Sequence, residues 1–162
     1  MPPLVRRYIK TGFVFLLLGL LVGAWILVAE FVLGTWPPRL VVTAHVHLLL
    51  VGFLLLLVMG VATWMFPRPA RDDPRYRPAL AEAVYWMVTV ATALRALGEL
   101  ATAYWPTVVF RALVTLGGLG QLVGAGLFVL NIWPRVRMPQ APPPTRSAEG
   151  AGTRARDASI TP

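Results

Sequence analysis

Four long apolar runs, at residues 11–33, 41–66, 79–104 and 106–133, constrain this chain more than any other feature. At about 1.5 Å of rise per residue, each run as a helix covers a hydrocarbon core about 30 Å thick. A soluble core does not need apolar sequence in stretches of that length, and the composition agrees: 57% of the 162 residues are hydrophobic. The first run exceeds the roughly 7–15 apolar residues of a signal peptide and no small-residue cleavage site follows, so it reads as a retained helix. Prolines stand at the edges of the runs (Pro37, Pro38, Pro67, Pro106 and Pro134), where a residue with no amide donor belongs. The expected fold is all-α, a four-helix transmembrane bundle occupying residues 1–133. The stretch 134–162 is rich in Pro, Ala, Arg and Gly and is expected to be a disordered basic cytoplasmic tail. No internal repeat stands out.

Charge gives the expected sidedness. Arg6, Arg7 and Lys10 precede the first run, and Arg68, Arg71, Arg75 and Arg77 lie between the second and third. Arg135, Arg137, Arg146, Arg154 and Arg156 follow the fourth, whereas the other two connections hold only Arg39. The positive-inside rule then places both termini and the middle connection on the cytoplasmic side of a cell (inner) membrane. Trp36 and Trp105 fall at the outer boundary, and Trp64 and Trp133 at the inner one, as interfacial aromatic belts do. The formal net charge of +8 is thereby read as orientation toward the lipid bilayer and not as nucleic-acid binding. With no cysteine, disulfides, iron–sulfur clusters and covalently attached c-type haem are excluded.

Ionisable groups within a bilayer are costly and mark candidate sites. Glu30, His45, His47, Arg95, Glu99 and Arg111 all fall at a similar depth in the outer half. Arg95 and Glu99 are four apart on one helical face, in a stripe with Val88, Thr92 and Thr102. They read either as a structural polar pair or, for Arg95 and Arg111, as anchors for an anionic group such as a haem propionate. His45 and His47 are the only histidines. Two residues apart on a helix, they point about 200° apart and cannot chelate one metal together. The face of His45 continues through Gly52, Met59 and Thr63, which directs it to the bundle interior, with Gly52 leaving an open patch below it. The face of His47 is aliphatic, which directs it to the headgroup level or a partner subunit. Either histidine could instead be structural. Gly19 and Gly23 in the first run, and Gly120 and Gly124 in the fourth, have GxxxG spacing, which serves close helix packing or room for a flat macrocycle.

The stretch Thr43-Ala44-His45-Val46-His47-Leu48-Leu49-Leu50-Val51-Gly52-Phe53, continuing through Gly60 to Pro67-Arg68, resembles the second helix of haem–copper oxidase subunit I. It is most similar to the nitric oxide reductase and cbb3-like branches. That helix begins at the outer face with an axial histidine of a low-spin haem b. The resemblance implies haem b on His45, with His47 as second choice, and Arg95, Arg111 and Gly52 as lesser contributors to the cofactor site. It covers about 25 residues. The further histidines of a binuclear centre are absent from this sequence, so the chain does not form such a centre by itself and enzymatic activity of its own is not expected. In size and helix number it looks like small accessory membrane proteins associated with nitric oxide reductase. The expected function is therefore a b-type haem protein in respiratory or nitric oxide metabolism, transferring electrons or binding NO or another diatomic gas. A homodimer or association with a larger respiratory complex would supply a second ligand. The competing reading is a cofactor-free accessory or assembly subunit. A transporter lacks an ionisable path into the inner half, and no hydrolytic constellation is evident.

Overall fold

The computed structural model describes residues 1–66 and 77–136. Among them are four long apolar helices: α1 (Pro3–Val32), α2 (Arg39–Met65), α3 (Pro78–Tyr104) and α4 (Val108–Val136). No strand occurs among the described residues. The ends follow local chemistry. Pro3 and Pro78 occupy the first positions of α1 and α3, where the missing N–H costs nothing. Gly34, at φ +63°, turns the chain between α1 and α2, a conformation that glycine adopts without a side-chain clash. Phe66 closes α2 in an extended conformation (φ −78°, ψ 139°), as the residue before a proline tends to. The hydroxyl of Thr107 accepts the Phe110 N–H at 3.5 Å at the start of α4.

Two boundaries differ from the sequence expectation. α1 begins eight residues earlier than position 11, at Pro3, because Arg6, Arg7 and Lys10 extend the helix beyond the apolar run. α4 runs through Pro134 to Val136. One missing amide in the last turn is a small loss, and Arg135 holds that turn by donating to the carbonyls of Thr63 at 3.3 Å and Phe66 at 3.0 Å. The expected disorder at 137–162, and the cations Arg68, Arg71, Arg75, Arg137, Arg146, Arg154 and Arg156, lie outside the described residues.

The helices pack as a row in chain order: α2 lies between α1 and α3, and α4 covers the far side of α3. α1 and α4 share no packed interface among the described residues. A core of Tyr8, Phe15, Leu48, Leu56, Met59, Val84, Tyr85, Val88 and Ala96 joins α1, α2 and α3. Tyr8 meets Tyr85 edge-on with centroids 5.0 Å apart, and the Tyr85 hydroxyl lies 2.7 Å from that of Thr11. α3 and α4 approach closely because glycines face the contact. A Cβ on Gly117 would lie 2.7 Å from the Ala91 carbonyl, and one on Gly124 would lie 2.6 Å from Val88 Cγ2. Such small-residue contacts let helices associate in lipid, where apolar burial gives no drive. At most 33% of any span is buried within the chain, and Leu17, Leu21, Leu116, Leu122 and Leu130 point outward. Lipid or a partner covers these faces.

Two stretches are π-helical: Val28–Val32 in α1 and Leu48–Leu55 in α2. The second begins one residue after His47 and contains Gly52. Wider turns reset the register between the outer and inner halves of α2. That register decides which residues of the inner half share a face with each histidine.

Candidate functional site

The two histidines of α2 point to different neighbours, as their spacing requires. His45 faces α1. Its Nδ1 lies 2.8 Å from the Gly19 carbonyl. A carbonyl only accepts, so Nδ1 carries the proton and donates, which leaves Nε2 with its lone pair. Nε2 has no hydrogen-bond partner among the described residues. The Gly19/Gly23 pair makes this contact possible. A Cβ on Gly23 would stand 2.7 Å from His45 Cε1 and 3.0 Å from Nδ1, and one on Gly19 would stand 2.6 Å from Leu49 Cδ2. The GxxxG gap of α1 thus receives two side chains of α2, and His45 is the one seated on Gly23.

Beside the ring an apolar groove of about 450 Å³ runs between α1 and α2, lined by Leu20, Gly23, Ala24, Ile26, Leu27, Val42 and His45. His45 is half-buried and is the polar side chain of this lining. Gly52 does not border the groove, and its surroundings correct the expectation of an open patch. A Cβ there would lie 2.7 Å from Phe15 Cβ and Cγ, so the Phe15 ring of α1 already fills that face. Gly52 shares the α1 side with His45, as the seven-residue spacing implies, but Phe15 occupies the space beneath the histidine.

His47 faces the opposite way, into the packed contact with α3, and not to the headgroup level or a partner. Its Nδ1 lies 3.0 and 3.1 Å from the two carboxylate oxygens of Glu99. Glu99 is 1% exposed, and the same carboxylate accepts from Arg95 Nε at 3.1 Å. Arg95 Nη1 donates to Gln121 Oε1 of α4 at 2.9 Å, Gln121 Nε2 donates to Thr92 Oγ1 at 3.1 Å, and Thr92 Oγ1 donates to the Val88 carbonyl at 2.7 Å. One polar chain therefore links α2, α3 and α4 through His47, Glu99, Arg95, Gln121 and Thr92. The Arg95–Glu99 spacing is readable in the sequence. So is the place of Thr92 on the same stripe; the entry of Gln121 from α4 is not, although a glutamine in the apolar middle of that helix is a signal for it.

Arg111 stands apart from both clusters. It is exposed on α4, and its side chain has no hydrogen bond or ion pair among the described residues. Glu30 sits in the π-helical end of α1, again without a side-chain partner among the described residues. The structure thus brings together His47, Arg95 and Glu99, places His45 on a separate groove, and leaves Gly52, Glu30 and Arg111 outside both. Among the described residues no three His, Cys, Asp or Glu side chains converge. A metal held at either histidine would take a single ligand from α2 and further bonds from elsewhere.

Residues 3–146 match the model of the family described as cytochrome c and quinol oxidase polypeptide I. No solved structure matches the chain.

Proposed function

We propose, from the premise that this chain belongs to the cytochrome c and quinol oxidase polypeptide I family, that it is a respiratory membrane protein that binds a b-type haem through His45. The observation that carries this reading is the seating of the imidazole. Nδ1–H is fixed by the Gly19 carbonyl at 2.8 Å and the ring borders an apolar groove of about 450 Å³. Metal-ligating histidines characteristically donate their other ring N–H to a carbonyl or carboxylate, which sets the tautomer and the ring angle. His45 is arranged in that way.

The residues present fit one axial bond to a haem. His45 would hold the iron through Nε2, and Leu20, Ala24, Ile26, Leu27 and Val42 would contact the apolar face of the macrocycle. When bound, the haem supplies one-electron transfer or, with its sixth position open, a site for NO or another diatomic gas. His47 has its Nδ1 on Glu99 and faces away from the groove, so its part in this reading is not ligation. Arg95 is committed to Glu99 and Gln121, and Arg111 lies on α4, two helices from the groove, so neither borders the cofactor. A second ligand and propionate contacts would come from a second copy of this chain or from a larger respiratory complex, such as one of the nitric oxide reductase or cbb3-like branches. Gly19, Gly23 and the Gly23-seated ring are the parts of the site that this chain provides alone.

The proposed orientation places both termini on the cytoplasmic side of the inner membrane. The chain has no cysteine, so Pro2→Cys and Thr35→Cys variants report sidedness cleanly. The first is expected to resist, and the second to react with, an impermeant thiol reagent in intact cells.

The cofactor test is the oxidised and reduced absorption spectrum of detergent-purified protein with a pyridine haemochrome assay, on wild type, His45→Ala and His47→Ala. A b-type spectrum lost in His45→Ala, and weakened but not lost in folded His47→Ala, is the expected result. Haem-free wild type from haem-replete cells would sink the reading. It would leave the α1–α2 groove as the seat of a helix from a larger subunit, the cofactor-free accessory role.

A further inference from the structure

We infer that Glu99 is a positioning residue for His45, acting across α2 through His47. The inference rests on the haem reading for its consequence and on the geometry for its cause. α2 is the middle helix of three, and at the depth of the histidines it is held by polar contacts on two opposed sides. One is His45 Nδ1 to the Gly19 carbonyl of α1 at 2.8 Å. The other is His47 Nδ1 to the Glu99 carboxylate of α3 at 3.0–3.1 Å. Two contacts about 200° apart around one helix fix its rotation about its own axis, which neither fixes alone.

The Glu99 side of this clamp is stiff. The carboxylate is 1% exposed and is itself held by Arg95, which is held by Gln121 from α4. Gly117 lets α4 approach so closely that a Cβ there would stand 2.7 Å from Arg95 N and Cβ, so the backbone that carries Arg95 has no slack. The other side is soft. The groove beside His45 is open, and Leu20, Leu27 and Val28 of α1 in that region are exposed. Below the histidines the π-helical stretch Leu48–Leu55 is the natural place for the outer half of α2 to turn relative to the inner half, since it interrupts the regular α-helical hydrogen-bond ladder. Removing the Glu99 contact therefore frees the outer half of α2 to rotate on that stretch. A ligand site of this kind tolerates only about 10–20° of misorientation, well inside the roughly 100° that one residue of register represents.

The test has one readout without haem and one with it. In detergent-solubilised protein labelled with ¹⁵N-histidine, the wild-type His45 ring is expected to show a protonated, hydrogen-bonded Nδ1. Glu99→Leu is expected to shift or broaden that resonance although position 99 does not touch His45. Glu99→Gln, which keeps an acceptor for the His47 N–H, is expected to preserve it. In haem titrations Glu99→Leu is expected to lower apparent affinity about tenfold, the lower end of what loss of an orienting partner produces, and Glu99→Gln to restore most of it. Glu82→Gln, at the opposite end of the molecule, is the control for general loosening. If Glu99→Leu does not fold, His47→Phe removes the same contact while keeping ring volume and carries the same expectation. A folded Glu99→Leu or His47→Phe with an unmoved His45 resonance overturns the inference. Haem-free wild type overturns the haem reading alone, because the resonance comparison is made on the apoprotein.

Discussion

A methyl group at Gly23 is the smallest perturbation that reaches the candidate site. The Cβ of Gly23→Ala would lie 2.7 Å from His45 Cε1, and ordinary contact begins at 3.4 Å. The imidazole must therefore retreat by about 0.7 Å or α1 must part from α2. A retreat of that size along the bond to Gly19 would stretch the 2.8 Å hydrogen bond to about 3.5 Å, past the usual limit of about 3.2 Å for N–H···O. Overpacking of this kind costs about 1–3 kcal/mol, and an interhelical hydrogen bond in lipid averages about 0.6 kcal/mol. The expected destabilisation is about 2–3 kcal/mol. Reversible unfolding in mixed micelles by added SDS measures it. Its unfolded state keeps much of its helix, so the greater helix propensity of alanine largely cancels. The matched control is Gly126→Ala in α4, where a Cβ meets nothing within 4 Å and a change within about 0.5 kcal/mol is expected. Equal stability of the two variants, with the ¹⁵N signature of His45 intact in Gly23→Ala, would refute the assignment of the α1 gap to the histidine.

Three further outcomes follow from the packing. Gly117→Ala is expected to cost more than Gly23→Ala in the same unfolding assay, because its Cβ would meet the Ala91 carbonyl and the Arg95 backbone at 2.7 Å, and backbone cannot swing aside as an imidazole can. Arg95→Leu leaves the buried Glu99 carboxylate facing His47 alone and is expected to lower stability by about 3 kcal/mol; Arg7→Gln, at an ion pair with Glu82 whose side chains are about half exposed, is expected to change it by less than about 1 kcal/mol. Arg135→Ala removes the donor to the Thr63 and Phe66 carbonyls and is expected to cost about 1–2 kcal/mol, with faster amide exchange in the last turns of α2 and α4.

The spans were legible because hydropathy over twenty or more residues is a strong signal, and the opposed directions of His45 and His47 were legible because the helical angle follows from spacing. Which histidine faces which neighbour was not. The face of His47 reads as aliphatic through Val51, Leu54 and Val58 only if an α-helix continues below it, and the π-helical stretch at Leu48–Leu55 breaks that continuation. Gly52 does keep to the α1 side with His45, but the Phe15 ring of α1, which pattern reading cannot place, fills the expected opening. The seat of His45 on Gly23 was beyond pattern reading for another reason. GxxxG announces a close approach, but whether a backbone, an imidazole or a macrocycle fills the gap depends on which helix lies opposite. Gln121 is the intermediate case: a glutamine in an apolar helix is a visible signal, while its bond to Arg95 depends on the order of α3 and α4.

The row arrangement separates two kinds of polar chemistry that a closed bundle would merge. The chain from His47 to Thr92 lies between α2, α3 and α4, where every member has a partner inside the protein. Groups so satisfied hold helices together and leave little capacity for a ligand. His45 lies on the α1 side, with one ring nitrogen satisfied and its ring beside a groove that the chain leaves uncovered. An apolar groove with one lone pair at its edge is satisfied by something from outside, whether a haem or a helix of another subunit. Loss of a ligand on His45→Ala with little loss of fold, against loss of fold on Arg95→Leu, would separate the two roles. A partner helix in the groove predicts a different pattern: bulky substitutions at Leu20 or Leu27 would weaken assembly as much as His45→Ala does, whereas a haem bond concentrates the effect on the histidine.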